Sequence, residues 1–294
     1  MQVFTLPPFL DGQDQAHPNP RRLVLSKYEA TGNDFLVMID ARSAVSLGPE
    51  EVRALCDRRR GVGADGFITV RGGRGKPLSM HLRNADGGVA EMTGNGIRCV
   101  AHAAVEAGLV TEGRFAIETA AGSRVVELRR QGDGEAFASV EMGVARITSD
   151  LGPYGPALSG RQACRVDVGN PHLVVLADGT LDELPELGSR LQEIETGINV
   201  ELVRPGPGPD ALTLRVWERG VGETLACGTG SVAAAAVAHG WGLVRRSVSV
   251  HNPGGRLEVR LPADPAYPIV LVGPVHKVAD VIVDVGSLVS YCPA

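Results

Sequence analysis

The sequence predicts a mixed α/β (α+β) fold of two pseudo-symmetric halves, each with strands around one central helix. Short apolar segments are separated by Gly, Asp and Asn, which is typical of strands joined by tight turns. Two stretches that favour helix follow glycine-bearing turns, over residues 94–108 and 231–239. The turns before these two helices recur at an offset of 134 residues. An internal repeat of this kind indicates a duplicated structural unit.

Composition limits the class of function. The chain has 294 residues, enough for two domains, and its 44% hydrophobic and 21% charged fractions are typical of a soluble globular protein. A formal net charge of −5 gives no reason to expect nucleic acid or an anionic membrane as a partner. No apolar run reaches the ~18–20 residues that span a bilayer. We therefore expect no nucleic acid and no membrane as a partner.

The N-terminus and the cysteines indicate the compartment. Residues 1–22 lack a basic start, and prolines and Asp11 interrupt them, so we expect a flexible extension rather than a signal peptide. The cysteines are odd in number and scattered, without paired metal spacing: Cys56, Cys99, Cys164, Cys227 and Cys292. This pattern argues against a disulfide framework and a zinc site, and we expect no metal. Free thiols indicate a cytoplasmic protein.

The elements of the first half follow from periodicity and turn residues. Strands are predicted over 23–28, 35–40, 67–71, 80–83, 115–119, 124–128 and 136–141. Helices are predicted over 49–59 and 94–108, the second ending at a glycine. The turn 31–34 separates the first two strands, and the glycine-rich turn 61–66 precedes the third.

The second half repeats this plan. Residues 93–96 (TGNG) match 227–230 (CGTG), and at the same offset Asn84 falls on Glu218. Nearby, residues 32–37 resemble 169–174 at an offset of 137. The repeat implies a pseudo-twofold that places the two helix N-termini across one cleft. We expect an N-terminal domain of residues 23–143 plus 274–294 and a C-terminal domain of residues 144–273.

Cys227 is the strongest candidate for chemistry. It falls at a predicted helix N-terminus, where unpaired N–H groups and the helix dipole favour a thiolate and bind anions. The pKa of a cysteine there can be lowered, which makes the thiolate a base or nucleophile. The alternative is a buried, unreactive cysteine at a glycine-rich turn. Two such helix ends facing one cleft would hold a small carboxylate from both sides.

Polar residues cluster near both helix starts. Four asparagines lie in turns with Gly or at strand ends: Asn33, Asn84, Asn170 and Asn199. A single turn asparagine is ordinarily structural, but four near this cleft are more easily interpreted as ligands for an ammonium and a carboxylate. Glu218 and Arg219 supply one charge of each sign, or form a surface ion pair. His172, on an apolar strand, is either a core histidine or part of the site.

Together, these segments resemble the diaminopimelate epimerase family over nearly the whole chain, from about residue 27 to residue 285. The matching segments are 31–35 (TGNDF), 61–66 (GVGADG), 84–87 (NADG), 94–99 (GNGIRC), 169–172 (GNPH) and 218–230 (ERGVGETLACGTG). Each segment alone is weak evidence, but the set is highly specific for the family. The substrate-holding positions match this family better than its proline racemase relatives.

The resemblance implies a cofactor-independent, homodimeric isomerase with two domains, each a β-barrel-like sheet around a central helix. Members invert an α-carbon with two cysteines, one on each face of the substrate, and interconvert L,L- and meso-diaminopimelate for lysine and peptidoglycan precursors. His172 and Glu218 would support the cysteine bases. By position, the substrate would be bound by Asn33, Asn84, Gly94, Asn95, Asn170, Asn199, Glu218, Arg219, Gly228 and Thr229.

The chain departs from the family at Thr93, where the motif has a cysteine. A hydroxyl is far less acidic than a thiol, so we expect Cys227 and Thr93 to be catalytic residues of unequal strength. Cys99 would lie ~9 Å deeper along the helix and is assigned to the core. Three outcomes remain open: slow epimerisation through water or a neighbouring group, a one-base lyase or isomerase, or a non-catalytic amino-acid-binding homologue. Related trans-3-hydroxyproline dehydratases also have a threonine in place of a cysteine, but at the second position.

Overall fold

The computed structural model of the chain describes residues 22–90, 92–131, 135–195 and 197–290. The first strand starts at Arg22. The rest of the extension predicted over 1–22 lies outside the described residues, as does Cys292. The four described cysteines, Cys56, Cys99, Cys164 and Cys227, are free and buried.

The elements of the first half include every strand and helix that the sequence predicts there. They are β1 (Arg22–Ala30), β2 (Asn33–Ile39), α1 (Pro49–Cys56), β3 (Gly66–Gly73), β4 (Lys76–Asn84), β5 (Val89–Ala90), α2 (Gly94–Glu106), β6 (Gly113–Thr119), β7 (Gly122–Gln131) and β8 (Glu135–Gly143).

The second half begins with β9 (Arg146–Thr148) and a short 3-10 helix, Gly152–Leu158. It continues with β10 (Ala163–Asp167), β11 (Pro171–Leu176), α3 (Leu184–Ile194), β12 (Asn199–Pro205), β13 (Ala211–Glu218), β14 (Gly222–Thr224), α4 (Gly228–Gly240), β15 (Ser247–Asn252), β16 (Gly255–Arg260), β17 (Ile269–Asp284) and α5 (Val285–Ser290).

The N-terminal strands form a closed barrel. Hydrogen-bonded ladders run in the order β1, β2, β3, β4, β6, β7, β8 and β17, and the last strand pairs with β1 again. The β2–β3 and β4–β6 pairs are parallel and the other pairs are antiparallel. A closed ladder leaves no edge strand, which satisfies the backbone polar groups around its interior.

The second half has the same connectivity. Ladders run in the order β9, β10, β11, β12, β13, β15, β16 and β17, with β11–β12 and β13–β15 parallel. No ladder between β9 and β17 closes this ring among the described residues. The order of strands and the positions of the parallel pairs match those of the first half. The predicted fold class, with two pseudo-symmetric halves around central helices, is confirmed.

The two central helices form the core. Gly94–Val105 of α2 is buried on all sides, and α4 is equally enclosed because its alanine-rich sequence lets strands approach closely. Both helices belong to one hydrophobic cluster that includes Val100, Ala234 and Leu271. Cys99, wholly buried within this cluster, is a core residue as predicted.

Two helix ends differ from prediction for local reasons. The helix predicted over 49–59 stops at Cys56 because Asp57 is extended, and its carboxylate accepts hydrogen bonds from the N–H groups of Arg59 and Arg60. The helix predicted over 94–108 stops at Glu106. Gly108 has a φ of 63°, and its N–H and that of Leu109 satisfy the last carbonyl groups, as in a Schellman-type cap.

Candidate active site

Thr93 and Cys227 occupy equivalent positions, one residue before the central helices. Both are N-caps with extended backbone angles, φ −132° and ψ 137° for Thr93 and φ −122° and ψ 120° for Cys227. An N-cap side chain accepts a hydrogen bond from an otherwise unpaired N–H group of the first helical turn. The repeat found in the sequence therefore places an alcohol and a thiol at the starts of two related helices.

The two helix starts meet through Gly94 and Gly228. A Cβ added to Gly94 would lie 3.3 Å from the Cα of Gly228, and one added to Gly228 would lie 3.1 Å from the Cα of Gly94. The side chain of Leu271 packs against both glycines. Only residues without a side chain allow this approach, so the unpaired N–H groups of both first turns lie together. The repeat predicts an anion-binding site at this point.

Asn95 ties the two halves at this point. Its Nδ2 donates to the carbonyl of Ala226, the residue before Cys227, at 3.1 Å. Its Oδ1 accepts from the guanidinium of Arg98 at 2.5 Å. Asn95 is 1% exposed, and both the nitrogen and the oxygen of its amide have partners. The structure therefore places Asn95 as a link between the two helix starts.

Cys227 is enclosed. Its Sγ accepts from the N–H of Gly230 at 3.4 Å and lies 3.3 Å from the Thr229 hydroxyl, and the residue is 7% exposed. Burial raises the pKa of the Cys227 thiol well above its usual range, and the carboxylates of Glu218 and Glu201 raise it further. Thr229 and the Gly230 N–H oppose this rise without cancelling it.

The predicted lowering of the Cys227 pKa is therefore wrong for the protein without a ligand. The helix N-terminus does stabilise the thiolate, but loss of water and two nearby carboxylates outweigh it. Cys227 rests as a thiol and can donate a proton. An anion or cation bound beside it would change this balance.

Glu218 lies next to the thiol at the end of β13. Its carboxylate accepts a short hydrogen bond from the Thr224 hydroxyl. Burial raises the pKa of Glu218, and the charge of Glu201 adds to the rise, while hydrogen bonds with Thr224 and Cys227 lower it. Glu218 therefore lies within hydrogen-bonding reach of the candidate catalytic thiol.

His172 belongs to a buried cluster rather than to the apolar core. Its Nδ1 lies 2.6 Å from Oε1 of Glu201, and its Nε2 lies 3.0 Å from Oδ1 of Asn170. His172 and Glu201 are both 0% exposed. Asn170 in turn donates from Nδ2 to the Thr229 hydroxyl at 3.5 Å. These contacts connect His172 to the surroundings of Cys227.

The remaining predicted residues serve different purposes. Asn199 donates to the carbonyl of Pro171 and accepts from the backbone N–H of Arg219, both at 2.9 Å, so it fixes the loop that carries Arg219. Asn33 donates to Asp65 at 2.7 Å and accepts from Asn95 at 3.4 Å. Asn84 is exposed at the end of β4.

The two caps differ in detail. Thr93 Oγ1 accepts from the N–H of Asn95 at 3.3 Å, whereas the Cys227 sulfur accepts from the N–H of Gly230, one residue further into its helix. A Cβ on Gly96, which is equivalent to Gly230, would lie 2.6 Å from the methyl group of Thr93. Thr93 thus turns its methyl, rather than its hydroxyl, towards the third residue of the helix.

Glu201 and Arg98 were not predicted as site residues. Glu201 sits inside the apolar strand β12, and a charged residue between Val200 and Leu202 is the signal that points to it. Arg98 is wholly buried and donates to Asn95 Oδ1, Thr31 Oγ1 and the Gly94 and Pro274 carbonyls. Burial lowers its pKa to about 10.

Two further features bear on the class of site. Among the described residues, no group of three or more His, Cys, Asp or Glu side chains is placed to hold a metal ion. No helix in the described part of the chain is long and apolar enough to cross a membrane.

The fold is shared with known structures. A predicted epimerase from Pseudomonas aeruginosa superposes with a TM-score of 0.69 at 17% sequence identity, covering 89% of this chain and 99% of the other. At this identity the likeness shows the fold alone.

Sequence comparison defines the family. The diaminopimelate epimerase family model matches residues 25–148 and 164–278. A diaminopimelate epimerase from Corynebacterium glutamicum is 40% identical over 253 residues, covering 80% of this chain and 90% of the relative. One from Synechococcus sp. is 38% identical over 280 residues, covering 87% and 96%. The chain belongs to the diaminopimelate epimerase family, and the resemblance seen in its motifs is confirmed.

Proposed function

We propose that this chain is an isomerase that interconverts L,L- and meso-diaminopimelate by removing and returning the α-proton, without a cofactor. Family membership supports the isomerase class and a small-molecule substrate. The observation that carries the proposal is the contact of Gly94 with Gly228, which brings two helix N-termini to one point beside Cys227. That point suits the carboxylate next to the reacting carbon.

The groups around this point have distinct roles in the proposal. The backbone N–H groups of Gly94, Gly228 and Thr229 would bind the carboxylate and stabilise the carbanion, as an oxyanion hole does. Asn95, whose N–H caps onto Thr93, would line the same point. Arg219 and Asn84, both exposed at strand ends, would hold the distal groups of the substrate. Asn33, Asn170 and Asn199 would orient the reacting end, with Glu218 and His172 supporting the thiol.

Inversion requires proton transfer on both faces of a planar carbanion. On one face, the Cys227 thiol gives its proton to the α-carbon, and in the reverse direction its thiolate removes that proton. On the other face stands Thr93, whose hydroxyl is a weak acid and a weak base. A water molecule held by Thr93 would take the α-proton there and pass it to bulk solvent. We expect this face to limit the rate.

Thr93 supports a second candidate, a one-base reaction in which Cys227 alone exchanges a proton. A lyase or isomerase acting on a related amino acid would use such a site. Each candidate predicts a different product when the protein is incubated with L,L- or meso-diaminopimelate in D₂O and followed by NMR. Inverted, deuterated product supports epimerisation. Exchange with retention, or an unsaturated product, supports the one-base reaction. Binding without exchange contradicts both and leaves a non-catalytic amino-acid-binding protein.

We also propose that residues 23–143 plus 274–294 and residues 144–273 move as two domains when substrate enters. Cys227, Asn95 and His172 are all at least nine-tenths buried, so a substrate reaches the thiol only if the halves separate. We expect the free protein in solution to sample an open form that the bound protein does not, so small-angle X-ray scattering should give a smaller radius of gyration with saturating diaminopimelate than without it. An unchanged radius on saturation contradicts it.

We infer a cytoplasmic homodimer. Val24 and Ile282, which face each other across the β1–β17 ladder, are 63% and 65% exposed. Paired apolar side chains on one exposed face suit a contact with a second copy. Light scattering after gel filtration should give twice the monomer mass, and Val24→Lys should reduce it. A monomer at micromolar concentration would contradict the dimer, and cell fractionation tests the compartment.

A further inference from the structure

We propose that Glu201 is a positioning residue that fixes, through His172, the direction in which the Asn170 amide faces Thr229 and Cys227. This inference rests on the proposed function, because it concerns the same site. It assigns a role to a side chain that the family motifs in this sequence do not include.

A continuous line of polar contacts carries the inference. Glu201 Oε1 lies 2.6 Å from His172 Nδ1, and His172 Nε2 lies 3.0 Å from Asn170 Oδ1. Asn170 Nδ2 lies 3.5 Å from the Thr229 hydroxyl, which is 3.3 Å from the Cys227 sulfur. Glu201 is therefore the innermost member of a chain that ends at the thiol.

The hydrogen-bond requirements of these atoms determine the state of the ring. The amide oxygen of Asn170 can only accept, so His172 Nε2 must carry a hydrogen. His172 Nδ1 faces a carboxyl oxygen and shares one proton with it. With Nε2 protonated, the Asn170 amide cannot turn over, and its N–H group stays directed at Thr229. The amide nitrogen of Asn170, rather than its oxygen, then faces the Thr229 hydroxyl and any anionic substrate beside Cys227.

Glu201 is poorly explained as a stabilising residue. It is 0% exposed, and its Oε2 has no hydrogen-bond partner. An unpaired buried polar atom destabilises the folded state, and an apolar side chain in β12 would avoid that cost. A Cβ on Gly230 would lie 2.6 Å from Glu201 Oε1, so a glycine in the first turn of α4 makes room for the carboxylate. Its charge also raises the pKa of Cys227.

The wild-type protein provides the first test. Long-range ¹H–¹⁵N NMR of the histidine rings reports which nitrogen carries hydrogen, and His172→Gln identifies the His172 signals among the seven histidines. We expect a protonated Nε2 at neutral pH. An unprotonated Nε2 would mean that the Asn170 amide is reversed, and would overturn the proposal whether or not the protein turns over diaminopimelate.

Glu201→Gln provides the second test. A glutamine can donate to Nδ1 or accept from it, so we expect two ring tautomers in the NMR spectrum. Because Asn170 can then turn over, we expect a loss of about tenfold or more in kcat/KM for α-proton exchange. Glu258→Gln, in an exposed pair with Arg260, is the matched control. It should change neither the His172 tautomer nor kcat/KM for α-proton exchange.

A double-mutant cycle separates positioning from general support of the fold. If Glu201 acts through Asn170, Glu201→Gln should have no further effect on exchange in an Asn170→Ala background. Additive losses in the double variant would overturn the proposal. If Glu201→Gln does not fold, the wild-type NMR measurement decides. Failure of wild-type protein to exchange any α-proton would refute the proposed function but leave the tautomer measurement valid.

Discussion

Gly94 and Gly228 touch at the first turns of the two central helices, where a Cβ on Gly228 would lie 3.1 Å from the Cα of Gly94 and 3.0 Å from Leu271 Cδ2. The contact is made by backbone atoms, which cannot rotate away as a side chain can. The distance between the two helix starts is therefore sensitive to a single methyl group.

Gly228→Ala should push the helix starts apart. We expect a loss of about 1–3 kcal/mol in the free energy of unfolding from overpacking, and a fall in kcat/KM of about tenfold or more from misplaced N–H groups. Urea denaturation and the exchange assay measure the two effects. Gly240→Ala, at the other end of α4 with no atom within 4 Å of the added Cβ, is the control and should be as stable as wild type or more so. Equal behaviour of the two variants would contradict the role of the contact.

Thr93→Cys should strengthen the weak face of the site. A well-placed general base contributes typically ~10²–10⁴ in rate, so we expect epimerisation to rise at least about tenfold, measured as α-deuteration with inversion. Thr93→Ser, which keeps the hydroxyl, is the matched control and should bring no gain. Cys227→Ala should abolish exchange in either background. An unchanged rate in Thr93→Cys would show that Thr93 does not limit the reaction.

Cys227 should resist alkylation at neutral pH in the protein without ligand. Its raised pKa means that the reactive thiolate forms only at higher pH. The rate of alkylation by iodoacetamide should therefore stay low through neutral pH and increase only at a pH well above that at which an ordinary thiol ionises. Glu218→Gln removes a charge that raises this pKa, so the increase in alkylation rate should occur at a lower pH. Mass spectrometry of the Cys227 peptide gives the rates.

Glu223→Gln is the control for the alkylation series, because Glu223 pairs with Arg215 on the same hairpin. Its pH profile should match that of wild type. A wild-type thiol that reacts at pH 7 as fast as a small-molecule thiol would contradict the raised pKa.

Asp34 should make the free energy of unfolding depend on pH in the acid range. Burial alone would raise its pKa, but hydrogen bonds and charges from Arg58 and Lys27 lower it from 3.8 to about 2. Because the pKa of Asp34 is lower in the folded state than in the unfolded state, its carboxylate stabilises the fold above the unfolded-state pKa. This stabilisation is lost as the pH falls through the folded-state pKa. Asp34→Asn should therefore cost on the order of 2 kcal/mol at pH 7.

This difference from wild type should shrink between about pH 4 and pH 2 and vanish below that range, as measured by urea denaturation at each pH. Glu193→Gln, at an exposed position in α3, should show no such trend. A difference that persists at pH 1.5 would show that the charge of Asp34 is not its cause.

Local sequence predicts the positions of the two helix starts at this site well. Glycine-rich turns before apolar segments identify both helix starts, and the 134-residue offset places Thr93 opposite Cys227 because duplicated units repeat their cap geometry. Chemistry that depends on burial is not predictable in this way. The raised pKa of Cys227 follows from enclosure, from Glu218 of the motif and from Glu201, which lies on the separate strand β12.

Glu201 itself illustrates the limit. In the sequence it interrupts an apolar strand, which equally fits a residue on an exposed edge. Only the register, with Glu201 opposite Val174 and His172 opposite Asn199 on the parallel strands, places its carboxyl group against the histidine ring. Side-chain partners across strands depend on long-range pairing, and no local pattern specifies them.

Strand β17 pairs with β8 and β16 near its start and with β1 near its end. A gene divided at the midpoint of the internal repeat would thus encode two fragments. The first fragment would lack β17, the strand that closes its barrel. Duplication produced two similar units, but neither is self-sufficient. Fragment complementation, rather than independent refolding, is what this chain should show when it is split.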